Sequence, residues 1–254
     1  LQAIIAIVQN DKDRALAIAE KNVAANPTSA SARIALSYAQ QARFDLPGAR
    51  ASVEKAVELD PQNALAFARL AELSSAFGDF DATFAAAQKA VALDPNLART
   101  QTVLGFAFLV QVKTAEARAA FDKAIVLDQA DPLPRLGLGL SKIRDGRLGE
   151  GGRDIEIAAS LDPTNALVRS YLGKVYYEEK LFPRDEREFK VAKELDPKDP
   201  TPFFYDAILK QTTNRPVEAL QEMEKAIALN GNRAVYRSEL LLDSDNASRS
   251  ASLA

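Results

Sequence analysis

One three-residue mark recurs along this chain at a fixed distance. Leu-Asp-Pro stands at Leu59-Asp60-Pro61, Leu93-Asp94-Pro95, Leu161-Asp162-Pro163 and Leu195-Asp196-Pro197. Weaker copies stand at Ala25-Asn26-Pro27, Leu127-Asp128-Gln129 and Leu229-Asn230-Gly231. Successive marks lie 34 residues apart, and no insertion breaks the series. A strict period of this length means one supersecondary unit stacked on copies of itself, because a single copy cannot bury its own apolar face. The chain is therefore expected to be a single elongated array over residues 1–254.

Each period holds two helical runs and a short turn. In residues 30–63 the first run carries Ile34, Leu36, Tyr38 and Ala39 at helical spacing, and the second carries Ala49, Val53, Ala56 and Val57. Neither alternates with the period of two that a strand requires. Pro47, Pro183 and Pro216 fall at the start of second runs, where a helix has no use for the missing N–H. The phase gives full repeats at 30–63, 64–97, 98–131, 132–165, 166–199 and 200–233, after a partial repeat at 1–29. A second helix is expected near 13–25 and a further first helix at 234–242. Residues 243–254, rich in Ser, Asp and Asn, read as the rest of that repeat or as a fraying tail. The chain starts without Met partway through a repeat and stops partway through another, as a piece of a longer array would.

Composition removes several function classes. The chain has no Cys and no His, which excludes disulfides, Ser-His-Asp and Cys-His catalysis, and nearly all zinc sites. A net charge of −3 argues against the broad basic face that nucleic acids need. No apolar run approaches the roughly 18–20 residues of a membrane span, and no signal-peptide pattern is present. A chain without thiols suits the cytoplasm and the periplasm equally, so localisation stays open. No catalytic residue, metal or cofactor is expected.

Small residues recur where helices must approach closely. Ala56, Ala90, Ala124, Ala158, Ala192 and Ala226 share one slot of the repeat, and Ser37, Ala71, Gly105, Gly139, Gly173 and Ala207 share another. A leucine precedes five of the latter, from Leu36 to Leu172, and Asp206 breaks the series. A large knob beside a small hole, once per unit, is how helices reach native packing density.

These residues resemble the tetratricopeptide repeat: Leu-Gly in the first helix (Leu104-Gly105, Leu138-Gly139, Leu172-Gly173), Tyr176, then Phe121, Ile155 or Phe189, the alanine slot and the final Pro. The family's Trp near the start of the first helix is replaced by Arg33, Phe67, Gln101, Arg135, Arg169 and Phe203. The Ala, Leu and Arg-rich repeats and the stretch 232–242 are similar to large bacterial members. The resemblance implies an all-α solenoid of antiparallel helix pairs, a right-handed superhelix whose first helices line a concave groove. It also implies a protein or peptide partner.

On that geometry the second, fifth, ninth and twelfth residues of each unit share the groove stripe. They are Arg99, Thr102, Phe106 and Leu109; Leu133, Leu136, Leu140 and Ile143; Leu167, Ser170, Lys174 and Tyr177; and Thr201, Phe204, Ile208 and Gln211. Earlier units give Ile34 and Tyr38, then Leu65, Ala68 and Glu72. The middle of the stripe is apolar with Arg99, Arg144 and Lys174 at its rim, which suits an amphipathic helix or an apolar anchor with acidic neighbours. Neighbouring first helices burying the stripe themselves is the competing reading. The slots lack the Asn of the Lys/Asn/Arg set that some family members use to grip a C-terminal carboxylate.

Other features have structural explanations. The run Gly146-Arg-Leu-Gly149-Glu-Gly151-Gly152 follows a helix, whereas a phosphate-binding loop must follow a strand, so it reads as a turn and a close contact at Gly151. Gly152 would then weaken its helix by about 1 kcal/mol. The mixed charges of 178–188 read as a solvated face. The glycosylation-like Asn246-Ala-Ser248 lacks a signal sequence to make it meaningful. The expected function is a non-enzymatic scaffold binding a partner segment in the groove. The alternatives are end-to-end self-assembly through open solenoid ends, or an accessory module of a larger protein whose other domain carries the activity.

Overall fold

The computed structural model describes residues 2–8 and 11–232, which form fourteen α-helices and one short 3₁₀ turn, with no strand. The first helices of the repeats are α3 (Ala30–Ala42), α5 (Ala64–Ala76), α7 (Ala98–Val110), α9 (Pro132–Arg144), α11 (Ala166–Glu178) and α13 (Pro200–Thr212). Each starts 34 residues after the last. The second helices are α4 (Leu46–Leu59), α6 (Phe80–Leu93), α8 (Thr114–Leu127), α10 (Leu148–Leu161), α12 (Phe182–Leu195) and α14 (Pro216–Ala228). Ahead of them stand α1 (Gln2–Val8) and α2 (Lys12–Ala25). The helix expected at 234–242 and the tail 243–254 lie outside the described residues.

The recurring mark is a helix stop followed by a helix start. The aspartate is the C-cap residue, held extended at φ near −140° by Asp60, Asp94, Asp128, Asp162 and Asp196 alike. The proline that follows most of them disfavours any continuation in helical conformation. Each carboxylate then accepts from the backbone N–H two residues on, at 2.9–3.2 Å, closing a small turn. At the next helix Ser29, Asn63, Asp131, Asn165 and Asp199 cap an N-terminus with a side-chain oxygen, while Leu97 makes no such bond.

The turn inside each repeat is set by one left-handed residue. Phe44, Gly78, Val112, Gly146, Lys180 and Asn214 all have φ between 59° and 81° and are spaced 34 apart. Glycine takes that conformation freely and Asn tolerates it, but a β-branched Val112 is strained there.

The chain divides into two compact units, one ending at Gln111 and the other beginning at Val112, so the break falls in the turn after α7. In the first unit α3–α4 and α5–α6 pair as hairpins, and α3, α5 and α7 also touch in succession. Its core is built largely of alanine: Ala15, Ala19, Ala39, Ala49, Ala56, Ala71, Ala87 and Ala90 are all fully buried. In the second unit the hairpins are α9–α10, α11–α12 and α13–α14, and Phe121, Ile155 and Phe189 are fully buried on the second helices. Phe121 packs over Gly137, and a Cβ on Gly173 would meet the Phe189 ring at 2.6 Å. Gly139 and Gly151 bring two backbones together: a Cβ on Gly139 would sit 2.6 Å from the Gly151 carbonyl. Gly152 also fills a need, since a Cβ there would sit 2.9 Å from Val175. It is a close-packing position, which sequence reading had assigned only a cost.

Candidate partner-binding surface

The two units use their first-helix faces differently. In the first unit the face carries a buried polar network. Arg69, only 2% exposed, donates to Glu72 at 2.9 Å, to the Ser37 hydroxyl at 3.0 Å, to the Ser37 carbonyl at 3.2 Å and to Gln41 at 2.5 Å. Its guanidinium lies 3.8 Å from the centre of the Tyr38 ring. Glu72, equally buried, also pairs with Arg99 at 2.5 Å. Ser37, Tyr38 and Gln41 come from α3, Arg69 and Glu72 from α5 and Arg99 from α7, so three successive first helices are tied by hydrogen bonds as well as by apolar contact. Arg99, expected as a rim cation, is thus engaged by Glu72. Thr102, Phe106 and Leu109 on α7 are buried to within 1%.

In the second unit the same slots are largely apolar and partly open, with Ser170 and Lys174 the exceptions on α11. Leu136 on α9 is buried, as are Leu167 and Ser170 on α11. Leu133, Leu140 and Ile143 on α9, Tyr177 on α11, and Phe204 and Ile208 on α13 are half-buried, and Arg144 is exposed. The Lys174 ammonium stands 5.0 Å from the centre of the Tyr205 ring, an α11-to-α13 cation–π contact. A peptide meeting these residues would find apolar anchors with two cations beside them.

Charges of the second unit are stored elsewhere, mostly inside the hairpins. Arg169 pairs with Glu188 at 2.8 Å and Arg135 with Asp154 at 3.5 Å, both from a first helix to the second helix of its own repeat. Both arginines occupy the slot where the tetratricopeptide pattern has Trp, and both acids stand 19 residues later. Arg33 shares that slot but finds Ser52 19 residues on, and its buried Nε has no hydrogen-bond partner. Lys142 adds to Asp154 at 2.5 Å. At the far end Lys193 and Lys210 share Asp206 and Glu222 in a four-membered network. Burial opposes charge on Lys210 and Glu222, but hydrogen bonds outweigh it: Lys210 donates to Glu222 and Asp206, which raises its pKa, and Glu222 accepts from Lys193 and Lys210, which lowers its own.

The stretch 178–188, expected to be a solvated face, departs from that expectation at two acids. Glu188 is buried against Arg169, and Asp185 is fully buried. Burial pushes the Asp185 carboxyl up to about 6; Glu186 and Asp206 add repulsion, and the backbone N–H of Glu186 at 2.6 Å offsets part of it. Its slot holds Ala49, Thr83, Ala117, Gly151 and Ala219 in the other repeats, so the sequence did carry the signal: an acid where every other copy is small.

Two polar clefts lie on the second unit. One of about 560 Å³ is lined by Glu156, Ser160, Arg169, Leu172, Tyr176 and Glu188 among others. There burial, with a 2.9 Å hydrogen bond to Glu156, pushes the Tyr176 phenol up to about 12. The other, about 340 Å³, opens onto the Lys193–Lys210 network. In both, the charged groups already have partners. Among the described residues no cluster of acids gathers to hold a metal ion, and no helix is long and apolar enough to cross a membrane.

The class these observations define is an all-α helical-repeat solenoid. No family model and no curated protein matches the chain. Solved structures do. A tetratricopeptide repeat protein from Parabacteroides merdae matches with a TM-score of 0.64 at 17% identity, over 95% of this chain and 94% of its own. Cut9–Hcn1 of the APC/C matches with a TM-score of 0.73 at 19% identity over 93% of this chain, which spans 46% of that one. A human IFIT1 dimer with PPP-AAAA matches with a TM-score of 0.74 at 17% identity, over 90% and 57%. The chain has the tetratricopeptide-repeat fold.

Proposed function

We propose that this chain is a non-catalytic scaffold that binds an extended or helical segment of a partner protein on the first-helix face of its second unit. The observation that carries the reading is the half-open apolar stripe on α9 and α13, with Lys174 and Arg144 beside it. Half-buried aliphatic and aromatic anchors are the side chains that bury a partner's apolar face at least ordering cost. The contact set is Leu133, Leu140, Ile143, Arg144, Lys174, Tyr177, Phe204 and Ile208. Leu136 supports it from within, while Thr102, Phe106, Leu109 and Arg99 belong to α7 of the first unit and stand outside this set. On this reading all repeats form one array, and neither a cofactor nor a nucleic acid takes part.

A displayed random-peptide library selected on the whole chain tests it. Enriched peptides should carry an apolar anchor next to acidic residues. Their affinity should fall at least tenfold in Leu140→Asp and in Ile208→Asp, and about threefold in Lys174→Glu. Equal affinity in all three variants, with helicity intact, would overturn the reading.

A further inference from the structure

One pair of slots, twelve residues apart, faces across the hairpin in each repeat of the second unit. In two of the three copies it is a lysine and an acid: Lys142 reaches Asp154 at 2.5 Å, and Lys210 reaches Glu222 at 2.7 Å. Between them, one period from each, stand Tyr176 and Glu188. The acid of the pair has two cations in both flanking copies. Asp154 has Lys142 and Arg135, and Glu222 has Lys210 and Lys193. Glu188 pairs with Arg169 alone, at 2.8 Å, although it is only 8% exposed. That bond uses one carboxylate oxygen, and the other makes no hydrogen bond among the described residues.

Tyr176 does not do the lysine's work. Its phenol donates to Glu156 on α10 at 2.9 Å, and burial beside the two glutamates keeps it neutral well above physiological pH. Glu156 is exposed and forms no ion pair, so Glu156 and Glu188 face one arginine and leave one net negative charge. Arg184 stands 5.7 Å from the Tyr176 ring centre and pairs with neither carboxylate. The cleft of about 560 Å³ opens among these groups, with Ala159, Pro163 and Leu172 as its apolar wall. Carboxylates beside an apolar wall fit an ammonium carried on an aliphatic stem, which packs its methylenes while the head keeps its charge.

We propose that this cleft, walled by α10, α11 and α12, takes a lysine side chain of a partner protein. Its ammonium meets Glu188 as Lys142 and Lys210 meet their own acids in the flanking repeats. The site shares no residue with the first-helix stripe and stands without that reading.

Backbone-amide NMR of the whole chain, titrated with N-acetyl-lysine amide, tests it. N-acetyl-norleucine amide is the control, with the same aliphatic stem and no charge. The lysine probe should shift Glu156, Tyr176 and Glu188 saturably at millimolar concentration and bind about tenfold more tightly than the control. Tyr176→Lys restores the internal cation of the flanking copies, so it should keep its helicity and weaken the lysine probe about tenfold. Glu188→Gln should weaken it as much, while Tyr176→Phe should leave it bound. Equal shifts from both probes, or undiminished binding in Tyr176→Lys and Glu188→Gln, would overturn the proposal. Cadaverine binding more tightly than the lysine probe would also overturn it, by assigning the cleft to a free polyamine.

Discussion

Helices α5 and α9 occupy the same place in two copies of one hairpin, two periods apart, yet they bury opposite chemistry. On α5 the inner slots hold Arg69 and Glu72, both sealed from solvent and bonded across three first helices. On α9 the corresponding face is leucine and isoleucine, half-open, and the unit's charges have moved into Arg135–Asp154 and Arg169–Glu188 inside the hairpins. The backbone pattern is the same in both. What differs is which slots of the 34-residue frame carry charge, and this decides which face is sealed and which stays half-open.

The largest effect should come from breaking the buried side of that contrast. Arg69→Met leaves Glu72 buried with only part of its compensation, and urea unfolding should register a loss of about 3–5 kcal/mol. Adding Glu72→Leu should recover much of it, because a buried pair replaced by apolar residues of similar size is often neutral. If the double variant is less stable than the single one, the network contributes net stability beyond charge compensation. Arg169→Met should cost less than Arg69→Met, since its pair with Glu188 is partly solvated.

Asp185 sharpens the comparison within the second unit, being the one acid there in a small-residue slot. Its folded pKa of about 6 lies above the usual 3.8, so the folded state holds its proton more tightly than the unfolded chain. The corresponding stability is fully present below about pH 4 and is lost as pH rises through about 6, by up to about 3 kcal/mol. Asp185→Asn should therefore stabilise the protein at pH 8 and change little at pH 4, as read by thermal melts at both. A variant whose advantage does not depend on pH would contradict the assignment.

Packing and caps give smaller effects. Ala158→Leu, in a fully buried slot of α10, should cost about 1–3 kcal/mol by overpacking. Leu97→Asp, supplying the cap that α7 lacks, should raise stability by about 1 kcal/mol in the same melts.

Most of the fold was legible because its punctuation is local. The Asp of each mark closes its own turn and the Pro after most of them bars a helix, so among the described residues the spacing locates the first helices at 30, 64, 98, 132, 166 and 200. The left-handed slot was only half visible, since Gly78 and Gly146 announce it while Phe44 and Val112 do not. The surface was harder. Arg135 and Arg169 with acids 19 residues on were in plain sight, yet a pair that distant means nothing until the hairpin folds back. Burial of Thr102, Phe106 and Leu136 beside half-open Leu140 and Ile208 depends on how neighbouring helices cross, which periodicity does not encode.

Amide hydrogen exchange on the whole chain, with and without a peptide selected on it, tests the central claim most directly. The account predicts slower exchange in α9, α11 and α13 and no change in α3 and α5. Protection confined to α10, α12 and α14, or centred on α5, would contradict it.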